Sequence, residues 1–76
     1  MYIKTKDEIF QLHDNDTVKI HEYENSFYVS VDNPDVGIRY IIVDEVSKED
    51  AEAVLDLVFE FIEKKAETMR VDKWKK

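Results

Sequence analysis

A chain of 76 residues, 43% hydrophobic and 38% charged, has room for one modest core and not for two. The absence of cysteine excludes a disulfide framework and a thiolate zinc site, and makes a reducing, cytoplasmic setting the default; no apolar run is long enough to span a membrane, and Met1 to Lys6 lack the apolar core of a signal peptide. The formal charge of −7 is uneven: Met1 to Met69 carry 7 basic and 17 acidic residues, net −10, whereas Arg70 to Lys76 carry 4 and 1, net +3, so the body is repelled by nucleic acid and anionic lipid and drawn to basic protein surfaces.

Met1 to Ile3 is apolar, and Thr5-Lys-Asp-Glu8 then has the spacing of a capping box ahead of Ile9, Phe10 and Leu12. This predicts a short helix from about Lys6 to Leu12, in competition with a strand through Glu8 to Leu12. Asp14, Asn15 and Asp16 make His13 to Thr17 a turn, because their side chains bond their own backbone.

Thr17 to Tyr23 alternates, with Val18 and Ile20 on one face and Lys19, His21 and Tyr23 on the other. After Glu24-Asn25-Ser26, the run Phe27 to Val31 alternates again, with Phe27, Val29 and Val31 opposed to Tyr28 and Ser30. The two runs form a hairpin. A second turn, Asp32 to Gly37, has proline to fix an early φ and glycine to accept a positive one at its end. Ile38 to Val43 is apolar on both faces, with Arg39 its only charge, and Asp44 to Val46 joins it to Ser47.

Ser47 to Met69 carries the strongest pattern. Ser47 and Asp50 have N-cap spacing, and Ala51, Val54, Leu55, Val58, Phe61, Ile62, Ala66 and Met69 recur at steps of three and four, one apolar stripe of a long helix. Opposite them Glu49, Glu52, Asp56, Glu60, Glu63 and Glu67 make a carboxylate ridge, relieved only by the four-residue spacings Lys48 to Glu52 and Glu60 to Lys64. Leu57 and Phe59 flank the stripe, either widening the core or remaining exposed. Residues 71–76 form a basic tail in which Trp74 can fold back onto the core, with residues 1–70 as a single domain.

The expected fold is α+β in two layers: a three-stranded antiparallel β-meander packed on one long C-terminal amphipathic helix, with a short N-terminal helix. No glycine-rich loop, nucleophile elbow, calcium loop or paired zinc histidines is present, so the sequence points to no cofactor, no metal and no catalytic residue. The expected role is that of a small acidic protein-binding module. Its ridge of Glu49, Glu52, Asp56, Glu60, Glu63 and Glu67 meets a basic partner, and such a module can inhibit a nucleic-acid-handling protein, because carboxylates at this spacing lie roughly 5–6 Å apart, comparable to charges along a phosphate strand. Lys19, His21, Tyr23, Tyr28 and Arg39, with Ser30, form a second candidate surface, suited to an arginine-rich peptide. Self-association through excess apolar surface is the alternative, and a pocket around Tyr28, Tyr40 and Trp74 a third. In its general plan the chain resembles the small inhibitory proteins that phages encode, without a motif to carry the likeness.

Overall fold

The structure is a computed structural model and describes residues 1–71; the expected fold-back of Trp74 lies outside these residues. Strands β1 (Tyr2–Lys4), β2 (Ile9–Gln11), β3 (Thr17–Tyr23), β4 (Ser26–Asn33) and β5 (Ile38–Val46) precede helix α1 (Lys48–Glu63), and strand β6 (Thr68–Arg70) comes after it. The fold is α+β. β3, β4 and β5 form the antiparallel meander, and β2, β1 and β6 form a second three-stranded sheet.

The N-terminal helix is replaced by a hairpin. Thr5 is buried, and its Oγ1 accepts from the Asp7 and Glu8 amides at 3.3 and 3.1 Å while its hydroxyl lies 3.2 Å from the Glu8 carbonyl. The hydroxyl that could cap a helix therefore closes a tight turn, as threonine does when the chain reverses. Ile3 and Phe10 pair across it and face inward, while Tyr2, Ile9 and Gln11 face out. The competing strand reading of Glu8 to Leu12 is the one realised.

The long C-terminal helix is corrected as well: it stops at Glu63. Lys65 takes φ 56°, its amide donates to the Ile62 carbonyl at 3.0 Å, and the Ala66 amide donates to Phe61 at 3.0 Å. These two bonds and the left-handed residue make a Schellman end. The chain then leaves the helix axis, so Glu67 is off the ridge and Met69 reaches the core from β6, pairing with Ile3 in a parallel ladder with β1. Val71 is buried beside it, its amide donating to the Lys4 carbonyl at 2.9 Å.

At the other end of α1 the cap forms as expected, the Asp50 amide donating to Ser47 Oγ at 3.0 Å. Ala51, Val54 and Val58 are fully buried, and Leu57 and Phe61 pack on the core from its edge. α1 touches all three strands of the meander. On that inner face the register aligns Val18 with Val31, Ile20 with Val29 and Val29 with Val43. The small sheet adds Ile3, Phe10 and Met69 to the same core, and Phe10 stacks on Tyr40 with ring centroids 4.5 Å apart.

β5 is longer than its apolar run, because Asp44 to Val46 belong to the strand. Val29 pairs with Val43, but its neighbours Phe27 and Ser30 pair with Val46 and Ile41, so β5 carries an extra residue on each side of Val43. Such bulges break the alternation of faces, which lets Ile42 and Val43 both be buried. Asn33 organises the β4–β5 turn by accepting from the Asp35 and Val36 amides at 3.0 and 3.2 Å, and Gly37 ends it at φ 70°.

Candidate functional site

Two surfaces on opposite sides of the molecule carry the candidate residues: the outward face of α1 and the outward face of the meander. On α1, Glu49, Glu52, Asp56, Glu60 and Glu63 are all exposed along one side, as the spacing requires. Glu60 pairs with Lys64 at 3.0 Å, whereas Lys48 and Glu52 do not close. Of the two flanking residues, Leu57 is half-buried while Phe59 is 62% exposed. Phe59 lies one turn from Asp56 and Glu63 and beside Ile62, itself 46% exposed. The ridge thus borders an apolar stripe instead of standing alone.

On the meander, Lys19, His21, Tyr28, Ser30 and Arg39 share the outward face as the alternation requires, with Lys19 opposite Ser30 and His21 opposite Tyr28. Tyr23 pairs with Ser26 at the end of the same face. Tyr40 lies on the other side of the sheet, stacked on Phe10, so the pocket expected around Tyr28 and Tyr40 does not form.

The surface is a connected network. His21 stacks on Tyr28, with centroids 4.5 Å apart and planes 12° from parallel, and its Nε2 lies 2.8 Å from Ser30 Oγ. The Ser30 hydroxyl donates to Asp32 Oδ1 at 2.9 Å, and Arg39 grips both oxygens of Asp32 at 3.0 and 3.2 Å. The bond from Arg39 holds the Asp32 carboxyl below its ordinary range, with a smaller contribution from Ser30 and partial opposition from burial. Burial pushes the His21 imidazole down, and the nearby Arg39 charge pushes it further.

A hydroxyl that donates to Asp32 must accept from His21, so Nε2 carries the hydrogen. Serine, histidine and aspartate meet here, but in the wrong order for nucleophilic attack: the oxygen that takes the serine proton belongs to a carboxylate neutralised by arginine. Ser30 is also 0% exposed. The cluster fixes the sheet surface and leaves no base to activate its serine.

No protein-family model, curated protein or solved structure matches this chain.

Among the described residues no three histidine, aspartate or glutamate side chains converge as a metal-holding group, and no helix is long and apolar enough to cross a membrane. Sequence reasoning missed Asp32, which reads as a turn residue although Arg39 reaches back to it across the ladder. It also missed an open groove of about 670 Å³ at the far end of the same face, lined by Tyr23, Glu24, Ser26, Tyr28, Ile41, Asp44 and Glu45. A bulge made that groove, and no residue in the strand signals a bulge.

Proposed function

We propose that this chain is a small acidic protein-binding module that docks through α1 on a lysine- and arginine-rich protein surface. The observation that carries this reading is Phe59, an aromatic side chain 62% exposed on a helix whose neighbouring turns carry Glu52, Asp56, Glu60 and Glu63. Interfaces draw most of their affinity from a few desolvated anchors, while charges at the rim set approach and partner choice. Phe59 suits the first role and the carboxylates the second. A partner that handles nucleic acid offers the matching charge, and covering that surface would inhibit it.

The test is capture of partners on immobilised protein, comparing the wild type with Phe59→Ala and with the triple reversal Asp56→Lys, Glu60→Lys and Glu63→Lys. A species held at low salt and released at high salt is expected to be lost by the reversal and weakened by about 30-fold or more by Phe59→Ala, the effect of losing an anchor. Retention of the same species by all three proteins refutes the α1 surface.

Self-association is a second reading, favoured by one observation. Ile9, Val36 and Ile38 are exposed and line a common groove with Phe10 and Tyr40, where β2 meets β5. Sedimentation across concentrations separates the two readings: a dimer broken by Ile9→Lys and Val36→Lys, with α1 unchanged, supports the copy-to-copy interface.

A further inference from the structure

The groove on the outward face of the meander is a product of backbone irregularity. Between the pairs Phe27–Val46 and Val29–Val43, one residue of β4, Tyr28, stands opposite two of β5, Asp44 and Glu45. A bulge of this kind re-aims side chains, and here it sets two carboxylates across from one phenol. At the hairpin end, Tyr23 pairs with Ser26, and the two-residue turn Glu24-Asn25 has φ 49° and 68°, a primed turn. That turn brings Glu24 to the rim. Tyr23 is diagonal to Tyr28 on the ladder, within reach of a shared guest.

Ile41 is the groove's aliphatic residue, while Glu24, Asp44 and Glu45 supply three carboxylates. None of the three forms an ion pair with a described residue. Two cations share the face outside the groove lining: Arg39 is committed to Asp32 and lies by Tyr28, and Lys19 stands opposite Ser30. The face therefore already holds one guanidinium against a carboxylate and a tyrosine, and it repeats those elements on the other side of Tyr28 without a cation.

We propose that this groove binds the guanidinium of an arginine presented by a protein partner, on the face of Tyr28 that the stacked His21 leaves open, beside Tyr23 and against Glu24, Asp44 and Glu45. A guanidinium is flat enough to lie on a phenol ring and forked enough to take two carboxylate oxygens at once; an ammonium does neither as well. Anionic ligands are repelled. Glu24 and Glu45, at φ 49° and 54°, hold side chains where the backbone favours glycine, so each carboxylate is placed at a conformational cost. The site stands apart from α1 and does not depend on the docking face there.

That cost supplies a clean test. The double variant Glu24→Gly and Glu45→Gly removes two carboxylates while relieving strain, so it is expected to melt at a higher temperature than the wild type, and a loss of binding in it cannot come from unfolding. Full-length protein is titrated by NMR with a capped glycine–arginine–glycine peptide and with its citrulline and lysine counterparts. Shift changes are expected to centre on Tyr23, Tyr28, Ile41, Asp44 and Glu45, with citrulline weaker by about tenfold or more, lysine weaker by about threefold, and the double variant weaker by about tenfold. Equal binding of the citrulline or the lysine peptide, unchanged binding by the double variant, or shifts that centre on α1 would each overturn the assignment.

Discussion

Replacing Lys65 by glycine should stabilise the protein, and the size of the gain tests where the helix ends. Lys65 sits at φ 56°, a region that costs a residue with a Cβ about 1–2 kcal/mol and glycine nothing comparable. Glycine also gains freedom in the unfolded chain, which takes back about 0.4–1 kcal/mol. The net expectation is a stabilisation of about 0.5–1 kcal/mol relative to a side chain at the same place. Lysine carries a charge that favours a helix C-terminus, so the proper reference is Lys65→Ala, which removes charge and stem but keeps the strain. For a chain of this size the glycine variant should melt about 2–8 °C above the alanine variant. Urea titrations monitored by circular dichroism should show the same order of midpoints with an unchanged slope. If Lys65→Gly is no more stable than Lys65→Ala, residue 65 is in a right-handed helix. The stripe then continues to Met69, Glu67 returns to the ridge, and β6 does not form.

Val54→Ala removes two methyl groups from a site with 0% exposure beneath the meander and should cost about 2–3 kcal/mol, read from urea midpoints. Ser30→Ala should destabilise by about 0.5–1.5 kcal/mol, because His21 and Asp32, both half-buried, each lose a partner; equal stability would mean that water replaces the hydroxyl at no cost. Acid should weaken the fold in two stages, both of the same sign. The fold holds His21 below its ordinary value, so stability falls as pH drops below about 6.5 toward the lowered native value, and Asp32, also lowered, adds a second loss below about 3.9. His21→Gln should flatten the upper stage and leave the lower one in place.

Where local chemistry decides the structure, the sequence was legible. Alternation in Thr17 to Tyr23 and Phe27 to Val31, glycine at position 37 and serine at 47 each act over a few residues, and the meander, its second turn and the start of α1 lie where they indicate. Thr5 was ambiguous for a physical reason: a hydroxyl accepting from amides two and three residues on serves a helix cap and a reversing turn alike, and only pairing with β6 favours the strand. The end of α1 was hidden because lysine occupies the left-handed position that glycine usually marks, while Ala66 in the connection and Met69 in β6 fall by coincidence on the helical spacing. On the surfaces, the outward positions of Lys19, His21, Tyr28 and Arg39 came directly from alternation. The groove did not, because alternation is the rule a bulge suspends.

Pairing of β1 with β6 places Tyr2 beside Thr68 in a parallel ladder, so the first strand of the fold waits for the sixth before the three-stranded sheet can exist. During synthesis Ile3 has no permanent neighbour on that side until β6 emerges from the ribosome, and a nascent chain stopped at Glu67 would leave β1 with an open edge. Contacts so distant along the chain slow the search for the native state. Loss of β6 should therefore be felt throughout the molecule.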